Sequence, residues 1–463
     1  MILLNDNQMQ AFIVDGFVTV HADFPRAFHE TVRSRLESIF AMEGNPGNNI
    51  LPRIPDLAEL FGHPAVTGAL TSVLGPGYAM HAHRHCHLTT PNRPAQRHHQ
   101  DSYEDDRNVR HHRTRWAMAF YYPQDVSAKM GPTSVLPASQ YYTSRDQAER
   151  NGEMLLCGPA GTVTIVHYDL WHRATANCSD RNRFMLKFLF CRMTEPDAPS
   201  WNFSQARPRP TFNNAANPAL CRSLWRWYLG QSDWEVGPAS DGGSVPADSQ
   251  AKVDRPATAS SGTDFEKNDG SPCKSESDRL EHVYMLSAAA ESGRIELMKA
   301  LAVEADALLE HNLAAKYHNP SQLQAGFGLS AQGPAAVAGL NAALRAPRWQ
   351  LRAAAADILG DIGLAARPAI PGLLKCLSDE SEWVRRNAAE ALGVIAAPEA
   401  VPNLARNLVN DSSDFVRHNA ALSLAKIGKE AGAARAALQK SLGDENLYVR
   451  GNARLALTRC AKV

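Results

Sequence analysis

Four dipeptides, Leu351-Arg352, Val384-Arg385, Val416-Arg417 and Val449-Arg450, recur at steps of 33, 32 and 33 residues. Apolar or small residues follow each at matched offsets: Ala388, Ala391, Leu392 and Ile395 after Val384, and Ala420, Ser423, Leu424 and Ile427 after Val416. Those offsets trace one face of a helix. An aspartate stands five residues ahead of the valine in three units, at Asp379, Asp411 and Asp444. A preceding helix carries Ile370, Leu373, Leu374 and Leu377. A unit of this size cannot bury its own apolar face. It must stack on its neighbours, so residues 335–463 are constrained to a helical solenoid.

The rest of the 463-residue chain does not repeat, and its length calls for two or three domains. Residues 280–334 are expected to be helical capping or degenerate repeats. Before them, from 231 to 279, large apolar residues almost vanish and Gly, Ser, Pro, Asp and Lys dominate, the pattern of a flexible linker. On that reading, residues 1–230 form a domain that folds without the solenoid. Near its start, Gln8 to Phe12 has helical character and Asp15-Gly16 breaks it before the β-branched run Phe17 to Val20. An amphipathic helix is expected over 27–42, with Phe28, Val32, Leu36 and Phe40 at four-residue steps. Strands are expected over 78–89, 115–122, 162–166 and 183–192, without long helices between them, which favours a sandwich or barrel. In the last strand Phe184, Leu186, Phe188 and Phe190 fall on one face and Arg183, Met185 and Lys187 on the other.

Lys and Arg equal Asp and Glu at 48 each, which gives no support to a nucleic-acid or basic membrane surface. No apolar run is long enough for a membrane span, and the N-terminus lacks the pattern of a signal peptide. The cysteines are scattered without a CxxC pair, so a cytoplasmic setting is expected. Histidine is the outlier, because 8 of the 17 fall between His81 and His112. Within that region His99-Gln100-Asp101 is a His-x-Asp motif, whose two ligands point to the same side of an extended strand. Two histidines and a carboxylate on one face of iron leave positions open for a co-substrate and oxygen. The second histidine must be distant, and His172 is the candidate. Arg183, eleven residues on, could clamp a carboxylate bidentately.

Taken in order, Phe12 to Phe17, His99-Gln100-Asp101, Gly131-Pro132 to Ser139, and Trp171-His172, Asn177 and Arg183 resemble the phytanoyl-CoA dioxygenase family over residues 5–230. The repeats closely resemble HEAT repeats, with their Asp/Arg ladder. The resemblance implies a multidomain protein: an N-terminal double-stranded β-helix (jelly roll) with flanking helices, and a C-terminal all-α HEAT-repeat solenoid. It also implies an iron(II)- and 2-oxoglutarate-dependent dioxygenase that consumes O2 and releases succinate and CO2. By position, His99, Asp101 and His172 match the metal ligands and Arg183 the residue that binds the distal carboxylate of 2-oxoglutarate. Trp116 matches a position lining the co-substrate pocket. Ala174 stands where some members have a serine helping that carboxylate. Ala138 replaces the usual glycine of the Pro-Gly-Ser loop. Relatives that halogenate lack the carboxylate ligand, so Asp101 implies hydroxylation.

The neighbouring histidines carry weaker expectations. His98 is turned to the opposite face from His99, and His167 is a lesser rival for His172. His81, His83, His85 and His87 alternate along one strand. A polar wall near the active site is the plainer reading, with substrate contact by His83, His85 and His87 the sharper one. His111-His112, among Arg107, Arg110, Arg113 and Arg115, is expected in a solvated loop. The substrate is expected to be a small molecule or acyl-type compound, with a protein partner or self-association through the repeats, and neither nucleic acid nor membrane. A different class remains open: a HEAT scaffold whose oxygenase-like domain is not catalytic.

Overall fold

The computed structural model describes residues 1–101, 111–206, 210–231, 273, 275–311, 319–320 and 323–461. Among the described residues, the N-terminal part is built on eight strands: β1 Phe17–His21, β2 Ala79–Thr89, β3 Trp116–Tyr121, β4 Thr133–Val135, β5 Met154–Leu155, β6 Thr162–His167, β7 His172–Ala174 and β8 Arg183–Cys191. Five form an antiparallel sheet in the order β1-β6-β3-β8-β2, and three form a smaller sheet in the order β5-β4-β7. Flanking helices cover the large sheet. The helix Arg26–Met42 buries Val32, Leu36 and Ile39, and Phe40 meets Phe184 edge-on. Phe61 packs on both Phe188 and Phe190. The aromatic face of β8 therefore belongs to the core, and Arg183, Met185 and Lys187 point the other way, into a cavity. The four expected strands form within a residue or so of their bounds. The three short strands of the smaller sheet were not legible, because two or three residues carry no alternation to read.

At the other end, Trp349–Ile362, Glu382–Val394, Asp414–Ile427 and Leu447–Cys460 are the second helices of successive repeats. Three ladder arginines grip the aspartate of the next unit through Nε: Arg352 to Asp379 at 2.8 Å, Arg385 to Asp411 at 2.8 Å and Arg417 to Asp444 at 2.9 Å. Those aspartates also accept the backbone N–H of Ser381, Ser413 and Asn446. One side chain thus closes a turn and fixes the spacing to the next repeat. Between 280 and 334 the described residues include the helices Ala290–His311 and Gln324–Gln332.

Two expectations change. From 232 to 272 the expected linker lies outside the described residues, but its far end is a helix, Glu276–Ser287, docked on the N-terminal part. Glu276 accepts hydrogen bonds from the Thr143 N–H and hydroxyl, both 2.7 Å, and from the Ser144 N–H at 3.0 Å. Nor is His111-His112 a solvated loop. His112 is 4% exposed, stacks on Phe327 at 3.7 Å between ring centroids and bonds the Tyr284 hydroxyl. Arg115 donates to the Asp361 carbonyl at 3.0 Å and pairs with Glu195. Arg113 and Arg115 thus meet carbonyls and the Asp361 carboxylate at the start of the solenoid, whereas Arg107 and Arg110 lie outside the described residues. One hydrophobic cluster runs from Leu4 through both parts to Ala456.

Candidate metal centre and its cavity

The segment before His99 runs antiparallel beside β7. His99 N–H donates to the His172 carbonyl and His172 N–H to that of His99, both at 3.0 Å. Residues paired this way put their side chains on the same face, and the two imidazoles lie 4.6 Å apart. Gln100, pointing the other way, donates to the carbonyls of Tyr142 at 3.1 Å and Asp169 at 2.6 Å. That anchor holds the motif extended and returns Asp101 to the histidine side. The Asp101 carboxylate then sits 4.0 Å from Nε2 of His99 and 3.7 Å from Nε2 of His172. One ligand atom from each of the three residues lies within 4.8 Å of the others.

Each imidazole is also oriented from behind. His99 Nδ1 bonds the Arg97 carbonyl at 3.0 Å and His172 Nδ1 that of Leu170 at 2.9 Å. A carbonyl only accepts, so Nδ1 carries the proton and Nε2 keeps its lone pair for a metal. Burial pushes His172 down to about 4, which keeps it neutral, with Asp101 opposing. For Asp101 burial acts upward, yet the Lys187 ammonium beside it outweighs that and holds the carboxyl well below its usual range. Lys187 Nζ donates to Asp101 Oδ2 at 2.6 Å. The donor set fits a divalent metal: two imidazoles that turn Nε2 toward the centre and one carboxylate whose second oxygen is held by Lys187.

Arg183 is fully buried at the start of β8. Its Nε and Nη2 donate to the Gly131 carbonyl at 2.9 and 2.6 Å. Gly131 has φ +66°, and a Cβ there would lie 2.9 Å from the Thr175 carbonyl oxygen, which accounts for glycine at this close approach. Among the described residues, Arg183 Nη1 is buried with no hydrogen-bond partner, and so is the Thr133 hydroxyl. Both line a cavity of about 400 Å³ that His99, His172 and Lys187 also line. A buried half-satisfied guanidinium is costly to leave unpaired. The pair fits the far carboxylate of a dicarboxylic acid. Thr133 lies directly opposite Ala174 in the β4–β7 register, so a hydroxyl stands beside the position where the expected serine is missing.

The other candidates separate. His85 and His87 line the cavity. His83 is not among its lining residues and bonds the Tyr448 hydroxyl at 2.8 Å, while His81 stacks on the same tyrosine. Trp116 does not line the cavity either; its ring meets His81 edge-on at 5.2 Å. His98 is held by Glu149 at 2.9 Å, away from the centre. His167 lies at the end of β6 outside the cluster. Asn177 is a brace: its amide donates to the carbonyls of Thr89 and Arg181, fastening the turn into β8. Lys187 and Thr133 were not singled out from sequence as site residues. A second group, His111, Asp357 and Glu390, is also closely spaced. Arg386 pairs with Glu390 there, and Asp361 flanks His111, so we assign it to the buried interface.

Residues 18–185 match the family model described as phytanoyl-CoA dioxygenase, and residues 336–425 and 370–458 match HEAT repeats. No curated protein matches the chain. Among solved structures, the chain is similar to the α-ketoglutarate-dependent carbocyclase SnoK of nogalamycin biosynthesis, at 16% identity over 41% of this chain and 85% of that one, TM-score 0.34. HygX from Streptomyces hygroscopicus, solved with nickel, 2-oxoglutarate and hygromycin B, is 17% identical over 41% of this chain and 87% of its own, TM-score 0.34. EctD from S. alaskensis, solved with 2-oxoglutarate and 5-hydroxyectoine, is 16% identical over 45% and 83%, TM-score 0.36. The chain thus carries a phytanoyl-CoA dioxygenase-type domain, of the iron(II)- and 2-oxoglutarate-dependent oxygenase class, and HEAT repeats. No helix among the described residues is long and apolar enough to cross a membrane.

Proposed function

We propose that residues 1–230 hydroxylate a small-molecule or acyl-type substrate, with His99, Asp101 and His172 holding iron(II) and Arg183 holding 2-oxoglutarate. The observation that carries this is the buried, unpartnered Nη1 of Arg183 in the same cavity as the two imidazoles. Bound iron(II), with 2-oxoglutarate and O2, supplies the oxidation, and the co-substrate leaves as succinate and CO2. The protein's part is positional. Gly131 aims the Arg183 guanidinium, and the Thr133 hydroxyl offers the same carboxylate a second hydrogen bond. Lys187 keeps Asp101 ionised and occupies one of its oxygens. Leu170 and Arg97 fix which imidazole nitrogens face the metal. Asp101 fills the position that halogenating relatives leave open, which favours hydroxylation. His85 and His87 wall the cavity and are the residues we assign to substrate contact.

The eight cysteines are free, which supports a reducing, cytoplasmic setting. For the repeats we propose a partner or a second copy on the first helices, Ile370–Cys376, Val401–Asn410 and Arg435–Lys440, because the second helices are engaged with the oxygenase domain. Succinate formation from 2-oxoglutarate by purified protein with iron(II) and ascorbate, across a metabolite panel, tests the activity. His99→Ala should abolish iron binding and turnover with the fold retained, and Arg183→Ala should raise the 2-oxoglutarate requirement. Equal turnover by wild type and His99→Ala would sink the assignment. Failure of the wild type to bind 2-oxoglutarate would favour the non-catalytic scaffold instead.

A further inference from the structure

A second cleft, of about 340 Å³, opens where the last repeat meets the oxygenase domain. Asn48 and Arg84 line it from one side and Arg450, Asn452 and Arg454 from the other, and none of its lining residues is acidic. Arg84 is fixed at its backbone, whose N–H donates to Asn48 Oδ1 at 2.9 Å. Its Nε is buried without a hydrogen-bond partner, and its Nη1 meets only the Met80 sulfur, at 3.7 Å. Burial and the nearby Arg454 charge both push the Arg84 guanidinium below its ordinary pKa, a sign of cations brought together without a counter-charge.

Arg450 is the fourth ladder arginine. Like Arg385 and Arg417 it uses Nη1 to cap two backbone carbonyls, those of Asp444 at 2.6 Å and Glu445 at 2.8 Å. In Arg352, Arg385 and Arg417 this leaves Nε and Nη2 aligned on a carboxylate. For Arg450 no carboxylate among the described residues takes that edge. The fork is therefore oriented by the repeat and unoccupied by it.

We propose that this seam is a binding site for a phosphate-bearing small molecule, gripped by Arg84 from the oxygenase domain and by Arg450 and Arg454 from the last helix. Guanidinium forks match phosphate oxygens bidentately. Three cations that no carboxylate neutralises among the described residues call for a ligand with more than one negative charge, and the cleft is roomier than a lone phosphate needs. The site touches the catalytic cavity through one strand. Arg84 on β2 alternates with His83 and His85, so a ligand drawing Arg84 toward the last helix also tightens the strand that carries His85 and His87.

The site needs no iron, so metal-free full-length protein is titrated with inorganic pyrophosphate at low salt, by calorimetry and by thermal unfolding. One equivalent should bind and raise Tm, since the ligand ties the two parts of the fold together. Arg84→Gln with Arg454→Gln should weaken binding by about tenfold or more, two charge-assisted contacts being lost. Arg454→Gln alone, at an exposed side chain, should weaken it measurably while leaving ligand-free Tm unchanged. Arg345→Gln, a distant exposed arginine, should bind as wild type does. No binding by wild type would overturn the proposal. So would equal affinity in the double variant, which would put the anion elsewhere, as at Arg183.

Discussion

Thr133 and Ala138 show how much of the site is decided by single atoms. The Thr133 hydroxyl is buried, unpartnered and beside the Arg183 guanidinium in the cavity wall. Thr133→Val keeps the shape and removes the donor, so 2-oxoglutarate affinity should fall roughly tenfold, the about 1.5 kcal/mol of one hydrogen bond to a charged group. Calorimetric Kd values for the metal-loaded variant and wild type would measure it, and an unchanged Kd would remove Thr133 from the site. Ala138 has φ +60°, the left-handed region, at the position where the family resemblance expects glycine. Ala138→Gly relieves that strain and should stabilise the fold by about 1 kcal/mol, visible as a higher denaturation midpoint. His99, Asp101, His172 and Arg183 were legible because their spacing along the chain carries their meaning. Thr133 and Lys187 were not, because theirs comes from tertiary neighbours: Ala174, which the β4–β7 register sets opposite Thr133, and Asp101, whose carboxylate Lys187 meets at 2.6 Å.

Elements were legible where a period ran long enough to be read. The helix Arg26–Met42 and the strand β8 came through almost to the residue, and the Asp/Arg ladder fell out of the repeat spacing. The capping relation between two helices of the degenerate region did not. Glu304, on the helix Ala290–His311, accepts the Ala325 N–H at 3.2 Å and so caps the start of Gln324–Gln332. Burial pushes its carboxyl up from the ordinary 4.5 to about 7. A carboxyl with a raised folded pKa binds more protons folded than unfolded between those values, so its contribution to stability falls as pH rises from about 4.5 to 7. Glu304→Gln retains an acceptor and loses the titration. Its stability relative to wild type should therefore be flat below about pH 4.5, grow through pH 7 and level off above, in urea melts taken across that range. A difference that does not vary with pH would mean that burial does not raise the Glu304 carboxyl in the folded protein.

At the scale of the whole molecule, the linker composition suggested two independent folds, and two of the side chains that join them, Arg113 and Arg115, had been read as part of a solvated loop. Arg113 donates to the carbonyls of Asp361 and Ser330, Arg115 to Asp361, and Arg459 reaches the Gly77 carbonyl from the last helix. Tyr448 bonds His83 and stacks on His81, so the last repeat supports the strand that walls the catalytic cavity. A fragment ending at residue 231 would strip His112 of Phe327 and Tyr284 and leave Arg115 short of one carboxylate. Removing one partner of a buried ion pair alone costs about 3–5 kcal/mol, and here several contacts go at once. The fragment should be insoluble or melt far below the full chain. By the same reasoning the intact protein should unfold in one calorimetric transition, because neither part retains a complete core without the other. Two well-separated transitions, with the 1–231 fragment reproducing one of them and keeping full 2-oxoglutarate turnover, would mean that the solenoid is only an attachment. A single transition that moves when Tyr448→Ala is made would tie the last repeat to the stability of the oxygenase fold and, through β2, to the shape of its cavity.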